Sequence, residues 1–201
     1  MGVDDPAAHG VEHRPRVDWW ANSAMATAMH RAKAIENPKG LPTLGPNAWG
    51  LTACDAASGY MVPGLFPDPL PMPGCRPDFD YAAFDPEDNW GDGTVAPYGA
   101  GMALMFSPQE ALAALRHYRS LTDESGRPLV WRDPRAALAV TGFMDSFNLG
   151  TMWVAPEQVA IDQGPLMLSI ENARTGFLWE RFHSHQFVRG GMDRLGLARD
   201  R

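Results

Sequence analysis

Ten of the eighteen prolines in this chain fall between residues 38 and 92, together with Gly45, Gly50, Gly59, Gly64, Gly74 and Gly91. Proline removes a backbone donor and fixes φ, and glycine weakens any helix it interrupts, so no long helix fits in that stretch. A segment of this length with little regular structure is uncommon in a compact domain unless it serves as a lid or a binding loop. The framework must then come from the flanking sequence, which is helical in pattern. No strand pattern of comparable strength competes, and the expectation is an all-α chain.

In "VDWWANSAMATAMHRAKAIENP", Asp18 is placed as an N-cap, Met25, Ala28, Met29, Ala32 and Ile35 recur at helical spacing, and the helix ends before Pro38. Residues 1–16 are polar and read as a flexible lead-in, with one domain over 17–197. Past the proline-rich stretch, "DGTVAPYGAGMALMF" opens with Asp92 and Pro97 and continues as a short buried helix. In "SPQEALAALRHYRSL", Ser107 is the expected N-cap, Pro108 the first helical residue and Glu110 the capping-box partner. Leu112, Leu115, Tyr118 and Leu121 then share one face, with Arg116 and Arg119 turned to water. The same pairing recurs toward the end: an apolar helix from about Asp162 to Ala173, a turn at Thr175 and Gly176, then the one-sided runs "FLWERF" and "QFVRGGMDRLGL". A uniformly apolar helix followed by an amphipathic one suits a toroid of nested helical hairpins, in which inner helices touch neighbours on all sides and outer ones face solvent.

A length of 201 residues suits a single domain, and a net charge of -7 argues against nucleic acid or an anionic membrane as partner. A neutral or weakly charged ligand fits better. No run of about 18 apolar residues is present and the acidic N-terminus does not resemble a signal peptide, so the chain reads as soluble and, as written, cytoplasmic, with its localisation left open because relatives are exported by signals that would lie outside this sequence. Cys54 and Cys75 form no CxxC pair; one disulfide between them is open, and two inert thiols are the more economical reading. His183 and His185 lack a third ligand at metal spacing, and neither a dinucleotide fingerprint nor a P-loop is visible, so no metal and no cofactor are expected.

Four acids fall in loops feeding the apolar helices: Asp55 in "WGLTACDAASGY", Asp92 in "NWGDGTVAP", Asp145 in "GFMDSFNLG" and Asp162 in "AIDQGP". Each is also placed to act simply as a helix cap. Their neighbours Trp49, Tyr60, Trp90, Phe143, Phe147 and Trp153 are aromatic, and flat rings beside carboxylates and amides suit the apolar faces and hydroxyl rims of sugars. Ordinary core packing explains any one of these rings equally well. Glycoside hydrolysis needs two carboxyl groups flanking the scissile bond, and the acids above are the candidates.

Taken together, "NAWGLTACDAASGY", "DGTVAPYGAG" followed by "SPQEALAALRHYR", "GFMDSFNLG" and "WVAPEQVAIDQGPLMLSIENARTGFLWERF" resemble the bacterial glucoamylase-like domain family over roughly residues 17 to 195. The resemblance implies an (α/α)6 barrel of carbohydrate-active enzymes related to endo-β-1,2-glucanases and to a region of cyclic β-1,2-glucan synthases. Motif by motif it implies a cavity lined by Trp49, Asp55, Tyr60, Asp92, Asp145, Asn148, Asp162 and Gln163, with Asp162 and Asp145 as the catalytic candidates. Trp90, Phe147 and Trp153 join the substrate-binding set as stacking rings. Glu171, Asn172 and Arg174 are expected to form a buried polar network bracing the inner helix.

The helices account for about half of such a ring, its C-terminal half. The expected function is glycoside hydrolase-like action on a glucan, β-1,2-glucan being favoured, by carboxylate acid/base chemistry. The general acid would come from a missing N-terminal half or a second chain, and a truncated or split coding sequence is the expectation. The alternative is a non-catalytic carbohydrate-binding protein or an inactive remnant. Inner helices at the open edges of a half-ring would expose apolar surface.

Overall fold

The computed structural model describes residues 2–3, 17–37, 39–62, 91–133 and 141–197. Trp90, Cys75 and the segment 63–90 lie outside the described residues, and with them most of the stretch read as a lid or binding loop.

Among the described residues six α-helices carry the architecture: α1 (Trp19–Glu36), α2 (Pro97–Gly101), α3 (Pro108–Ser120), α4 (Ala160–Thr175), α5 (Phe177–Ser184) and α6 (Gln186–Leu195), with a 3-10 turn at Met102–Met105 joining α2 to α3. The Asp18 side chain caps α1 by accepting from the Ala21 amide at 2.9 Å. Ser107 and Pro108 open α3 at the expected positions, but the Ser107 side chain makes no cap bond, so the capping box does not form. Asp92 caps nothing: α2 starts at Pro97, with Ala96 as its N-cap. None of these helices is long and apolar enough to cross a membrane.

The chain is mostly helical, yet a strand-free reading needs correction. Among the described residues there are four antiparallel two-stranded ladders: β1 (Gly2–Val3) with β2 (Val17–Asp18), β3 (Cys54–Ala56) with β4 (Gly59–Met61), β5 (Trp131–Arg132) with β6 (Gly142–Phe143), and β7 (Phe147–Asn148) with β8 (Trp153–Val154). Each strand is two or three residues long, too short to show alternation in sequence. A further bridge ties Val95, just before α2, to Phe147, with amide-to-carbonyl bonds of 2.9 Å in both directions.

The core gathers where α2, α3 and α4 meet these ladders. The ring of Tyr118, fully buried on α3, lies edge-on to Phe147 at 5.2 Å and to Phe143 at 6.5 Å. Its hydroxyl donates to the Trp49 carbonyl and accepts from the Trp49 amide, pinning the 49–52 segment to the helix. That segment then passes α2 at backbone contact. Gly50 has φ +109, and a Cβ there would sit 2.7 Å from the Ala100 amide nitrogen. Gly101 makes the other close approach, since its Cβ would fall 2.1 Å from Leu166 Cδ1 on α4.

Two helix faces differ from their sequence patterns. On α1 only Ala34 is buried, and Met25, Met29 and Ile35 are exposed. On α3 the buried set is Ala111, Ala114, Leu115 and Tyr118, with Leu112 exposed. Small residues let α3 approach its neighbours closely, so the tertiary contact follows the alanines rather than the largest side chains.

Candidate active site

The site begins with a short segment that has almost no regular structure. Asp145 lies between β6 and β7, where its amide donates to the Glu157 carbonyl at 3.2 Å and the Met144 amide donates to Val130 at 2.9 Å. The Ser146 hydroxyl donates to the Asp55 carbonyl, and the Asp55 amide donates to Asp145 Oδ2 at 3.3 Å. This stitches the 145–146 turn to β3 across some ninety residues of sequence. From the opposite side α4 supplies Asp162, its third residue, which is 8% exposed.

These elements enclose a cavity of about 360 Å³ whose lining includes Asp55, Asp145, Asp162, Cys54, Tyr98 and the exposed ring of Tyr60. Among the described residues no lysine, arginine or histidine lines it. Acidic walls without a cation suit a neutral, hydroxyl-rich guest. Among the described residues no group of three or more His, Cys, Asp or Glu could hold a metal ion.

Asp145 is 1% exposed, and its Oδ1 has no hydrogen-bond partner among the described residues. Burial pushes its carboxyl up to about 7, helped by the hydrogen-bonding Asp162 carboxyl and by the negative charges of Asp162 and Asp55, against the lowering effect of the Asp55 amide. Cys54 is a free, buried thiol pushed up to about 12 by burial and then by the surrounding aspartates, which makes it a poor nucleophile. Tyr98 is likewise raised to about 12 by burial. Its hydroxyl donates to the Ala53 carbonyl at 2.6 Å, leaving the Thr52 hydroxyl to donate to it at 3.1 Å.

Of the residues singled out from sequence, the structure therefore brings Asp55, Tyr60, Asp145 and Asp162 around one cavity. Others sit elsewhere. Trp49 and Phe147 are core side chains, 2% and 0% exposed, with no face left for a sugar. Phe143 is buried between Tyr118 and Trp131. Asn148 is buried as a turn brace: its amide donates to the Asp92 carbonyl and to Thr94, and its oxygen accepts from Gly150 and Thr151. Asp92 is exposed and accepts from the Thr94 amide at 2.9 Å. Trp153 and Gln163 are half-buried and do not line the cavity.

The expected network at the far end of α4 also needs correction. Only Asn172 is buried, donating to Met105 Sδ and accepting from the Trp179 amide, while Glu171 and Arg174 pair at 3.6 Å in solvent. Helical periodicity turns those two residues outward. Sequence reading missed Cys54 and Tyr98 as lining residues. A tyrosine inside the otherwise small and apolar run "APYGAG" was the available signal for the second, since a buried hydroxyl needs a partner.

Residues 6–186 match the model of the family described as "Putative glucoamylase", and the chain belongs to that family. It is 29% identical over 178 residues to the exo beta-1,2-glucooligosaccharide sophorohydrolase (non-reducing end) of Parabacteroides distasonis, covering 89% of this chain and 20% of that protein. A solved structure of the family's description from Bacteroides uniformis is similar over 96% of this chain and 38% of its own, at 32% identity and a TM-score of 0.67. The endo-beta-1,2-glucanase of Chitinophaga pinensis, solved with sophorotriose and glucose, is similar over 95% of this chain and 38% of its own, at 28% identity and a TM-score of 0.68. The chain thus spans about a fifth of its curated relative and under two fifths of these solved relatives.

Proposed function

We propose that this chain contributes one wall of a glycoside hydrolase active site acting on β-1,2-linked glucan, with Asp162 and Asp145 as its catalytic carboxyls. The observation that carries the reading is the cavity lined by Asp55, Asp145 and Asp162 without a cation, with the Tyr60 ring at 72% exposure available to stack on a sugar. Names of similar proteins acting on β-1,2-glucans support the substrate class.

The geometry constrains the mechanism. Asp145 and Asp162 line the same cavity, and the Asp162 carboxyl helps to raise that of Asp145. They act as one unit, positioning or activating a water, and the carboxylic acid that protonates the leaving oxygen comes from polypeptide beyond this chain's share of its relatives.

That completion is also the reading of the fold we favour, about half of an (α/α)6 ring. Helix α4 supports it. It buries Asp162, Leu166, Ser169 and Asn172 while Ile161, Met167, Leu168 and Ile170 stay exposed, as an inner helix would when one of its neighbours is absent. The second reading, a glucan-binding protein without turnover, is favoured by the exposed Tyr60 ring at the cavity, which can stack on a sugar whether or not the carboxyls act on it.

Incubation with linear β-1,2-glucan separates the two, using the chain alone and mixed with the complementary region of a family member. Shortened products from the mixture support the hydrolase. Saturable calorimetric binding without products supports the binding protein, and neither signal removes both.

A further inference from the structure

We propose that the hollow between the 123–133 loop and the β7–β8 turn is a second saccharide-binding site, in which a sugar ring lies against Trp131 and Met152 while its hydroxyls bond Arg127 and Arg132. The inference requires binding only, so it stands or falls independently of the hydrolase reading.

The hollow measures about 530 Å³ against about 360 Å³ for the acidic cavity, and the two share no lining residue. Both fall within the size range of small-molecule sites. The loop that forms one wall is braced from within. Asp123 Oδ1 accepts from the Ser125 amide and hydroxyl and from the Arg127 amide, and Oδ2 accepts from Arg127 Nε at 3.0 Å. These bonds, that of the Ser125 hydroxyl first, hold the Asp123 carboxyl down to about 2, so the brace persists across ordinary pH. The Leu129 amide donates back to the Leu121 carbonyl at 2.8 Å. Trp131 is held by the Arg119 guanidinium 5.1 Å from its ring centroid and by Phe143 edge-on at 4.8 Å, yet it stays half-buried and lines the hollow. A wall fixed in this way costs a ligand little ordering entropy.

The lining has the chemistry of a sugar site. Arg127 spends Nε on Asp123 and keeps its side chain 79% exposed, and Arg132 spends Nη1 on the Pro128 and Leu129 carbonyls at 3.2 and 3.0 Å. The other guanidinium nitrogens are unengaged among the described residues, and their planar array of donors matches adjacent hydroxyls on a sugar rim. Trp131, Met152 and Val154 supply apolar surface for the C–H face of the ring. Asp123 and Asp133 equal Arg127 and Arg132 in number, so the lining carries no net charge and favours a neutral guest over an anion.

Met152 marks the same place by its backbone. Among the described residues two non-glycines have positive φ: Asn37, the C-cap of α1, where asparagine is at ease, and Met152 at φ +55. The turn is held by the Asn148 side-chain oxygen, which accepts from the Gly150 and Thr151 amides at 2.8 and 3.2 Å. The result is a methionine 55% exposed on the hollow. A conformation that costs energy and buries little is retained where the side chain serves a contact with something else.

Titration of the isotope-labelled whole chain with a linear β-1,2-gluco-oligosaccharide, followed by amide and indole NMR shifts, tests the proposal. The Trp131 indole and the amides of Asp123, Arg127 and Met152 should move together and saturate. They should still do so in Tyr60→Ala, which removes the ring offered by the acidic cavity. Trp131→Ala should weaken this binding about tenfold. Because that change also removes a core contact, Met152→Gly is the decisive variant. Glycine adopts a positive φ without strain, so the thermal midpoint should hold or rise while binding at the hollow falls about threefold. Shifts confined to the surroundings of Asp55, Tyr60 and Asp162 overturn the proposal. So do shifts at Trp131 that inorganic phosphate produces and the oligosaccharide does not, and so does a Met152→Gly chain that is stabilised with its binding unchanged. Saturable shifts at Trp131 without cleavage of glucan support the second site and count only against the hydrolase.

Discussion

The Tyr118 hydroxyl serves both backbone groups of Trp49 inside the core, so Tyr118→Phe leaves a buried amide and a buried carbonyl without that partner. The expected loss is about 1–3 kcal/mol in urea unfolding, with little change in circular dichroism. Asp145 gives a prediction with a definite sign. Its carboxyl is raised to about 7 in the folded chain against an ordinary 3.8, so its contribution to stability is complete below about pH 4 and is lost as pH rises through 7. Asp145→Asn has no such proton to lose. Its unfolding free energy relative to the unaltered chain should therefore improve between pH 4 and pH 8, as denaturation at several pH values would show. Trp49 and Phe147 illustrate why residue roles were only partly legible. An aromatic beside an acid in sequence can face a ligand or the core, and which it faces depends on segments a hundred residues away.

Helix α4 shows the same limit one level up. Its start near Asp162 and its end at Gly176 are readable from residue types, and the apolar run from Leu166 to Ile170 promised burial throughout. Instead α4 presents Leu166, Ser169 and two polar side chains inward, because α2, the 3-10 turn and α5 cover only one side of it. Contact with α2 is set by Gly101. Gly101→Ala puts a methyl group 2.1 Å from Leu166 Cδ1 and should cost about 1–3 kcal/mol through overpacking. It should also shift the first turn of α4 and with it Asp162. The double variant Gly101→Ala with Leu166→Ala should be less destabilised than the sum of the two single changes, a coupling that a double-mutant cycle measures directly.

For the whole molecule, the exposed side chains of Ile161, Met167 and Leu168 on α4 are more apolar surface than a lone helix face ordinarily shows to water. Replacing Met167 and Leu168 by lysine should leave stability within about 0.5 kcal/mol, since neither is buried. The same change should reduce self-association in light scattering at micromolar concentration. If the proposed ring completion is right, it should also abolish any glucan cleavage restored by the complementary region. Loss of stability with no change in association would count against the exposed-face account.

What the sequence determined by itself were the local decisions: where Asp18 caps α1, where Ser107 and Pro108 open α3, where Gly176 ends α4, and the set of motifs that mark the family. Those depend on backbone sterics and hydrogen bonding within a few residues, and a linear reading contains them. Tertiary structure alone decided that Asp55, Asp145 and Asp162 share a hollow while Asp92 does not, and that Asn148 braces a turn instead of meeting a ligand. The reason is that burial, and the proton affinity that follows from it, is set by which distant segments exclude water from a side chain. The Asp55 amide reaching Asp145 is such a contact, and no spacing rule in the sequence encodes it.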